Sequence, residues 1–212
     1  TFWWRVQKIA VAGGLTCTHR DGTMSFGVCI YCNELGSGSG FLKKGLYISD
    51  QISRGTKHLA RRYKAKKFMV YFQSFSNTYA PLPLLKEIYG EALQFPQVVG
   101  LSIGTRPDCL PDRVLDYLAQ LQEQCHLWLE LGLQSASDRS LELIGRGHTF
   151  ADFSSAVERC HLRGIRVCVH LILGLPGEDR DQMVSTTAAV AGLGVEGVKF
   201  HLMHVVRGTR LE

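Results

Sequence analysis

The sequence has no apolar run approaching the roughly 20 residues that a membrane-spanning helix needs. A helical transmembrane protein is therefore excluded, and no membrane partner is expected. Its start, TFWWRVQKIAVAGGLTC, has too short an apolar stretch and lacks a small-residue cleavage site, so no secretion signal is expected. A first residue of Thr1 points to a trimmed chain. Charge is sparse and close to balanced: charged residues make up 20% of the chain, and the formal net charge is only +5. Disorder-type composition is also missing. With 45% apolar residues over 212 positions, the chain suits one α/β unit with a single core.

Cysteine is present, but not in a disulfide pattern. The seven cysteines are an odd number, in a chain without a secretion signal. A reducing, cytoplasmic location is expected, where clustered thiols indicate metal rather than bridges. Cys109, Cys125, Cys160 and Cys168 lie singly in helix- or strand-like segments and read as small core hydrophobes. Cys17, Cys29 and Cys32 share one glycine-containing loop, with eleven residues in the first gap, two in the second, and no fourth cysteine nearby. The densest basic stretch, KHLARRYKAKK (57–67), reads first as a solvated helix face carrying Lys57, Arg61 and Lys64. A docking surface for nucleic acid or an acidic redox partner is the alternative.

Six short, near-continuously apolar runs predict buried parallel strands: 8–13, 67–73, 98–104, 127–133, 166–173 and 197–203. Helical patterns lie between them at 81–94, 110–124, 152–164 and 178–194. In the second of these, Val114, Leu115, Leu118 and Leu121 share one face. Strand starts fall about 30–60 residues apart, the rhythm of βαβ units. An open doubly wound sheet and an incomplete (β/α) barrel both fit, whereas a full eight-unit barrel needs about 250 residues. Both arrangements gather ligands at the carboxyl ends of the strands. Polar, glycine-rich or thiol-bearing residues follow every predicted strand, which argues for one large site along that edge.

Three local thiolates select zinc or an iron–sulfur cluster. A structural zinc site would need a fourth ligand, from His19, another histidine or a distant cysteine. A cubane cluster can use three thiolates and leave one iron open for a substrate or cofactor. A metal-free barrel enzyme using the GLPGE loop for an anion is a third reading. Asn77, Thr78, Tyr79, Arg106, His148, Lys199, His201 and His204 are candidates to line the mouth, and Glu130, in mid-strand, needs a partner if buried.

Read in order, CTHRDGTMSFGVCIYCN, YFQSFSNTYAP, SIGTRPDCLP, ELGLQSASDRSLELIGRGH and CVHLILGLPGE resemble the radical S-adenosylmethionine (SAM) superfamily, and within it the YhcC-like family. That family is akin to the radical-SAM domain of the Elongator catalytic subunit, which also has a long first cysteine gap. The superfamily's usual first gap is three residues. The resemblance spans about residues 8–210 and implies an α/β fold, a partial (β/α)6 TIM-type barrel with parallel strands, with residues 1–212 forming a single radical-SAM core domain that lacks a C-terminal extension. It implies that Cys17, Cys29 and Cys32 bind three irons of a [4Fe–4S] cluster and that SAM binds the fourth.

By the same resemblance, Tyr31 stands beside the adenine, and Gln73 and Ser74 meet the methionyl amine through backbone carbonyls. Gln134 and Arg146 reach the ribose and carboxylate, and His170 the ribose. Gly174, Leu175 and Pro176 let backbone pass close to the adenine. The implied chemistry is reductive cleavage of SAM to a 5′-deoxyadenosyl radical that abstracts hydrogen from the substrate. A flavodoxin- or ferredoxin-type electron donor is the implied partner. The substrate is not legible; the Elongator kinship makes RNA thinkable, although no acetyltransferase segment and no aromatic–basic RNA-binding motif is present.

Overall fold

The computed structural model describes residues 5–23, 29–33 and 47–212. Positions 24–28, inside the cysteine loop, and the first four residues of the chain lie outside the described residues. Among the described residues there are six strands: β1 (Val6–Val11), β2 (Lys67–Phe72), β3 (Val98–Thr105), β4 (His126–Gln134), β5 (Val167–Leu173) and β6 (Gly197–Leu202). All neighbours pair in parallel, in the order β1-β2-β3-β4-β5-β6. A doubly wound sheet reverses its order at a switch point. This order never reverses, so the chain winds one way, as a barrel does.

Curling is visible in one contact. Lys8 of β1 and Glu130 of β4 form an ion pair. They lie three strands apart, about 14 Å in a flat sheet with the usual interstrand spacing. Six strands bent this far make a partial TIM-type barrel.

The helices are α1 (Ile48–Tyr63), α2 (Leu82–Leu93), α3 (Asp112–Leu121), α4 (Asp138–Leu143), α5 (Phe150–His161) and α6 (Arg180–Ala191). As the spacing predicts, α3 buries Val114, Leu115, Leu118 and Leu121. Capping boxes start α5 at Thr149 and α6 at Asp179, satisfying amide groups that would otherwise lack acceptors. The basic stretch forms the exposed end of α1, with Arg61 and Arg62 in its last turn, where the helix dipole favours cations. The helix stops at Lys64 in a left-handed conformation, so Lys64 leaves the face shared by Lys57 and Arg61.

The strands are not apolar on both sides. On β4, Leu127, Leu129, Leu131 and Leu133 are fully buried in the core between sheet and helices. The alternate residues Glu130, Gly132 and Gln134 face the barrel interior and line its cavity. The same alternation puts Tyr71, Gly104, His170, Ile172, Lys199 and His201 on the interior wall. On β6 the outward residues Val198 and Phe200 are exposed.

Candidate functional site

The cavity inside the barrel measures about 470 Å³ and opens at the carboxyl ends of the strands. Cys17, Cys29 and Cys32 all line it. A turn in which the Cys32 amide donates to the Cys29 carbonyl (2.9 Å) brings those two residues together. Cys17 is reached by the Ser76 hydroxyl at 3.6 Å, and the Cys32 sulfur by Arg20 at 3.6 Å. The backbone of Ile30 is held from both sides. Its amide donates to the Ile144 carbonyl (3.1 Å), and its carbonyl accepts from the Leu211 amide (3.0 Å).

Arg146 organises the floor beneath this loop. It is buried and donates to the Cys29 sulfur (3.5 Å), the Tyr31 hydroxyl (3.4 Å), the Gly132 carbonyl and His148 Nε2 (3.3 Å). Burial alone would raise the Cys29 thiol, but the Arg146 guanidinium outweighs it and the thiol is held below its ordinary value. Burial, then Arg146 and Arg106, push His148 down to about 3, leaving it a neutral acceptor near pH 7. His19 donates from Nε2 to the Arg146 carbonyl at 2.7 Å, and burial lowers its pKa. Gly147, at φ +68°, is required here: a Cβ would collide with the His19 ring.

Arg106 enters from the loop after β3. It pairs with Asp108 (2.9 Å) and donates to the Arg146 carbonyl (2.6 Å). Its Nη1 is buried with no partner among the described residues, although Arg106 lines the cavity. A buried guanidinium N–H without an acceptor is costly. A ligand with an anionic oxygen would satisfy it.

Of the residues expected to contact a cofactor, Tyr31, Gln73, Gln134, Arg146 and His170 line the same cavity as the three thiols. Gln134 ends β4 at a register shift with φ +84°, which turns its backbone at the rim. Ser74, Gly174, Leu175 and Pro176 are not among the lining residues. Ser74 is buried and its carbonyl accepts from Asn77, Leu175 is in the core, and the Gly174 amide meets the Met183 sulfur at 3.3 Å. Among the mouth candidates, Arg106, Lys199, His201 and His204 line the cavity, whereas Asn77, Thr78, Tyr79 and His148 do not. Asn77 instead holds the loop after β2, donating among the carbonyls of Phe72, Ser74 and Gly104 at 2.9–3.1 Å.

Below the thiols lies a polar cluster that the sequence only hinted at. Glu130 has a fully buried carboxylate. It accepts from Lys8, Ser102 and His170 (2.6 Å for His170), and the Tyr71 hydroxyl joins it. Lys199 stands 3.6 Å away. Each of the six strands thus contributes one residue. Burial would raise the Glu130 carboxyl, but the bonds from His170, Lys8 and Ser102 prevail and hold it well below the usual range. Lys199 was legible as a charge inside an apolar strand; Lys8, Ser102 and Tyr71 carried no such signal.

Thiols, a buried arginine pair and a polar barrel floor, on six parallel strands wound in sequence order, define a class. The chain belongs to the radical SAM superfamily: the family model of that description matches residues 15–190. Its relatives within the superfamily include YtqA of Bacillus subtilis, 45% identical over 205 residues, covering 97% of this chain and 64% of that protein. YhcC of Escherichia coli K12 is 39% identical over 206 residues, covering 97% of this chain and 65% of that protein. The chain therefore spans about two thirds of the length of these curated relatives. In fold, the archaeal Methanocaldococcus infernus Elp3 is similar with a TM-score of 0.68 at 20% identity, over 97% of this chain and 47% of that one.

Proposed function

We propose that this chain is the catalytic core domain of a radical SAM enzyme, in which Cys17, Cys29 and Cys32 hold a [4Fe–4S] cluster. When bound, the cluster and SAM supply reductive cleavage of the sulfonium to a 5′-deoxyadenosyl radical that takes a hydrogen atom from the substrate. The carrying observation is that three thiols share one cavity with the unsatisfied Arg106 Nη1 and with Arg146. Soft thiolates suit iron, and guanidinium groups suit a carboxylate through paired donors.

Among the described residues no three His, Cys, Asp or Glu side chains converge to hold a single ion. The chain's own residues have plain tasks in this reading. Arg146 donates to the Cys29 sulfur, which favours its thiolate form, and to the Tyr31 hydroxyl, which orients that ring. Gln134, Gln73 and His170 offer hydrogen bonds within the chamber, and the buried wall restricts water around a reactive intermediate. All seven cysteines are free thiols, which suits the reducing cytoplasm proposed for the protein. A flavodoxin- or ferredoxin-type donor would supply the electron. RNA is kept among the substrates to test.

The test is anaerobic reconstitution with iron and sulfide. A broad absorbance near about 400 nm and close to four irons per chain are expected. Dithionite and SAM should then release 5′-deoxyadenosine, and Cys29→Ser should abolish both signals. A colourless protein carrying one tightly held zinc would overturn the reading.

A further inference from the structure

The six-strand polar cluster contains more positive charge than its carboxylate can hold. Glu130 is the only carboxylate lining the cavity among the described residues, facing Arg20, Arg106, Arg146 and Lys199. Arg106 has Asp108, and Arg146 has the Cys29 sulfur. Glu130 must serve two lysines.

Its capacity is already used. Oε1 takes Lys8 and Ser102, Oε2 takes His170, and the Tyr71 hydroxyl also hydrogen-bonds to the carboxylate. A carboxylate has about four lone-pair sites. Lys199, at 3.6 Å, is attracted to Glu130 but lies beyond hydrogen-bond distance. Its ammonium makes no hydrogen bond among the described residues. Nothing about its position is loose, however. Both ammonium groups approach the Tyr71 ring, Lys8 at 5.0 Å and Lys199 at 4.8 Å from its centroid. His201, two residues along the same interior face, hydrogen-bonds to His170 at 3.3 Å. Burial, with His170 and Lys199 close by, pushes His201 down to about 4, so it adds hydrogen-bonding capacity near pH 7 without adding charge.

We propose that Lys199 is an oxyanion-binding residue of the substrate chamber, recognising a carboxylate or phosphate of the substrate from the β6 wall, with Glu130 and Tyr71 holding the ammonium in place. The proposal deepens the radical SAM reading by giving the substrate a charge: it enters acid end first against β6. The Lys199 side chain is 39% exposed, so its ammonium is open to an incoming oxyanion, and solvent and salt screen part of the attraction. The group needs no other counter-ion, because Lys8 already neutralises Glu130.

The test uses the anaerobically reconstituted protein and follows reductive methylation of each lysine by peptide mass spectrometry. Inorganic phosphate and acetate are the probes, with chloride at equal ionic strength as the reference. Either probe should slow Lys199 by about threefold, the effect of filling two thirds of the sites, and leave exposed Lys57 unchanged. Protection by acetate alone assigns a carboxylate and by phosphate alone a phosphate ester. Protection by neither overturns the proposal. Thermal stabilisation of the protein by the effective anion should also vanish in Lys199→Gln. If that variant does not fold, protection in the unsubstituted protein decides. Deoxyadenosine release from the same preparation reports on the cofactor reading separately. Release without protection removes only the Lys199 site, and protection without release removes only the radical chemistry.

Discussion

Glu130 is the most constrained single residue in the barrel. A buried carboxylate is tolerable only when paired and hydrogen-bonded, and four side chains from four other strands do this. Glu130→Ala leaves two partly exposed lysines side by side and removes the acceptor of Ser102 and His170, and about 1–3 kcal/mol of stability should be lost, read by urea unfolding. The pH dependence has a definite sign. Because the folded carboxyl is held below its ordinary value, its stabilisation is complete above about pH 4.3 and drains as pH falls below that. Glu130→Gln should flatten this part of the stability–pH curve, and an unchanged acid limb would count against the pairing. Asn77 teaches a different lesson. Its position after β2 made it a candidate for the mouth, yet its amide is spent on three backbone carbonyls. Asn77→Asp should cost on the order of 3 kcal/mol by removing those donors. The type of residue was legible in both cases; its partners, up to 122 positions away for Lys8 and Glu130, were not.

At the level of elements, the strands were readable because each is a short apolar run of the right length. Their ends moved by only one or two residues, as with β1, which starts at Val6. Their two-sided apolar character was overestimated, since the inward face of β4 is polar where the barrel needs a floor. Helix α4 escaped notice because six residues are too few to display a helical period. One glycine decides how two strands meet. A Cβ on Gly100 would collide with the backbone carbonyl oxygen of His126 in β4, which cannot swing aside. Gly100→Ala should therefore destabilise the β3–β4 pairing by about 1–3 kcal/mol, visible as earlier amide exchange in both strands.

Across the whole molecule, the site was half legible. The thiols lie within one loop, so their meeting in one cavity was legible from their spacing. The contacts of Arg146, Arg106 and Glu130 depend on register between distant strands, which a single sequence does not reveal. The two-sided grip on Ile30 joins segments that are distant in sequence. The peptide between Cys29 and Cys32 is fastened on one side to residue 144 and on the other to residue 211. The thiols lie at 17–32, but this fastening uses Leu211, almost 180 residues further along. If the thiols hold the proposed cluster, its retention therefore hangs on a segment remote from the ligands themselves.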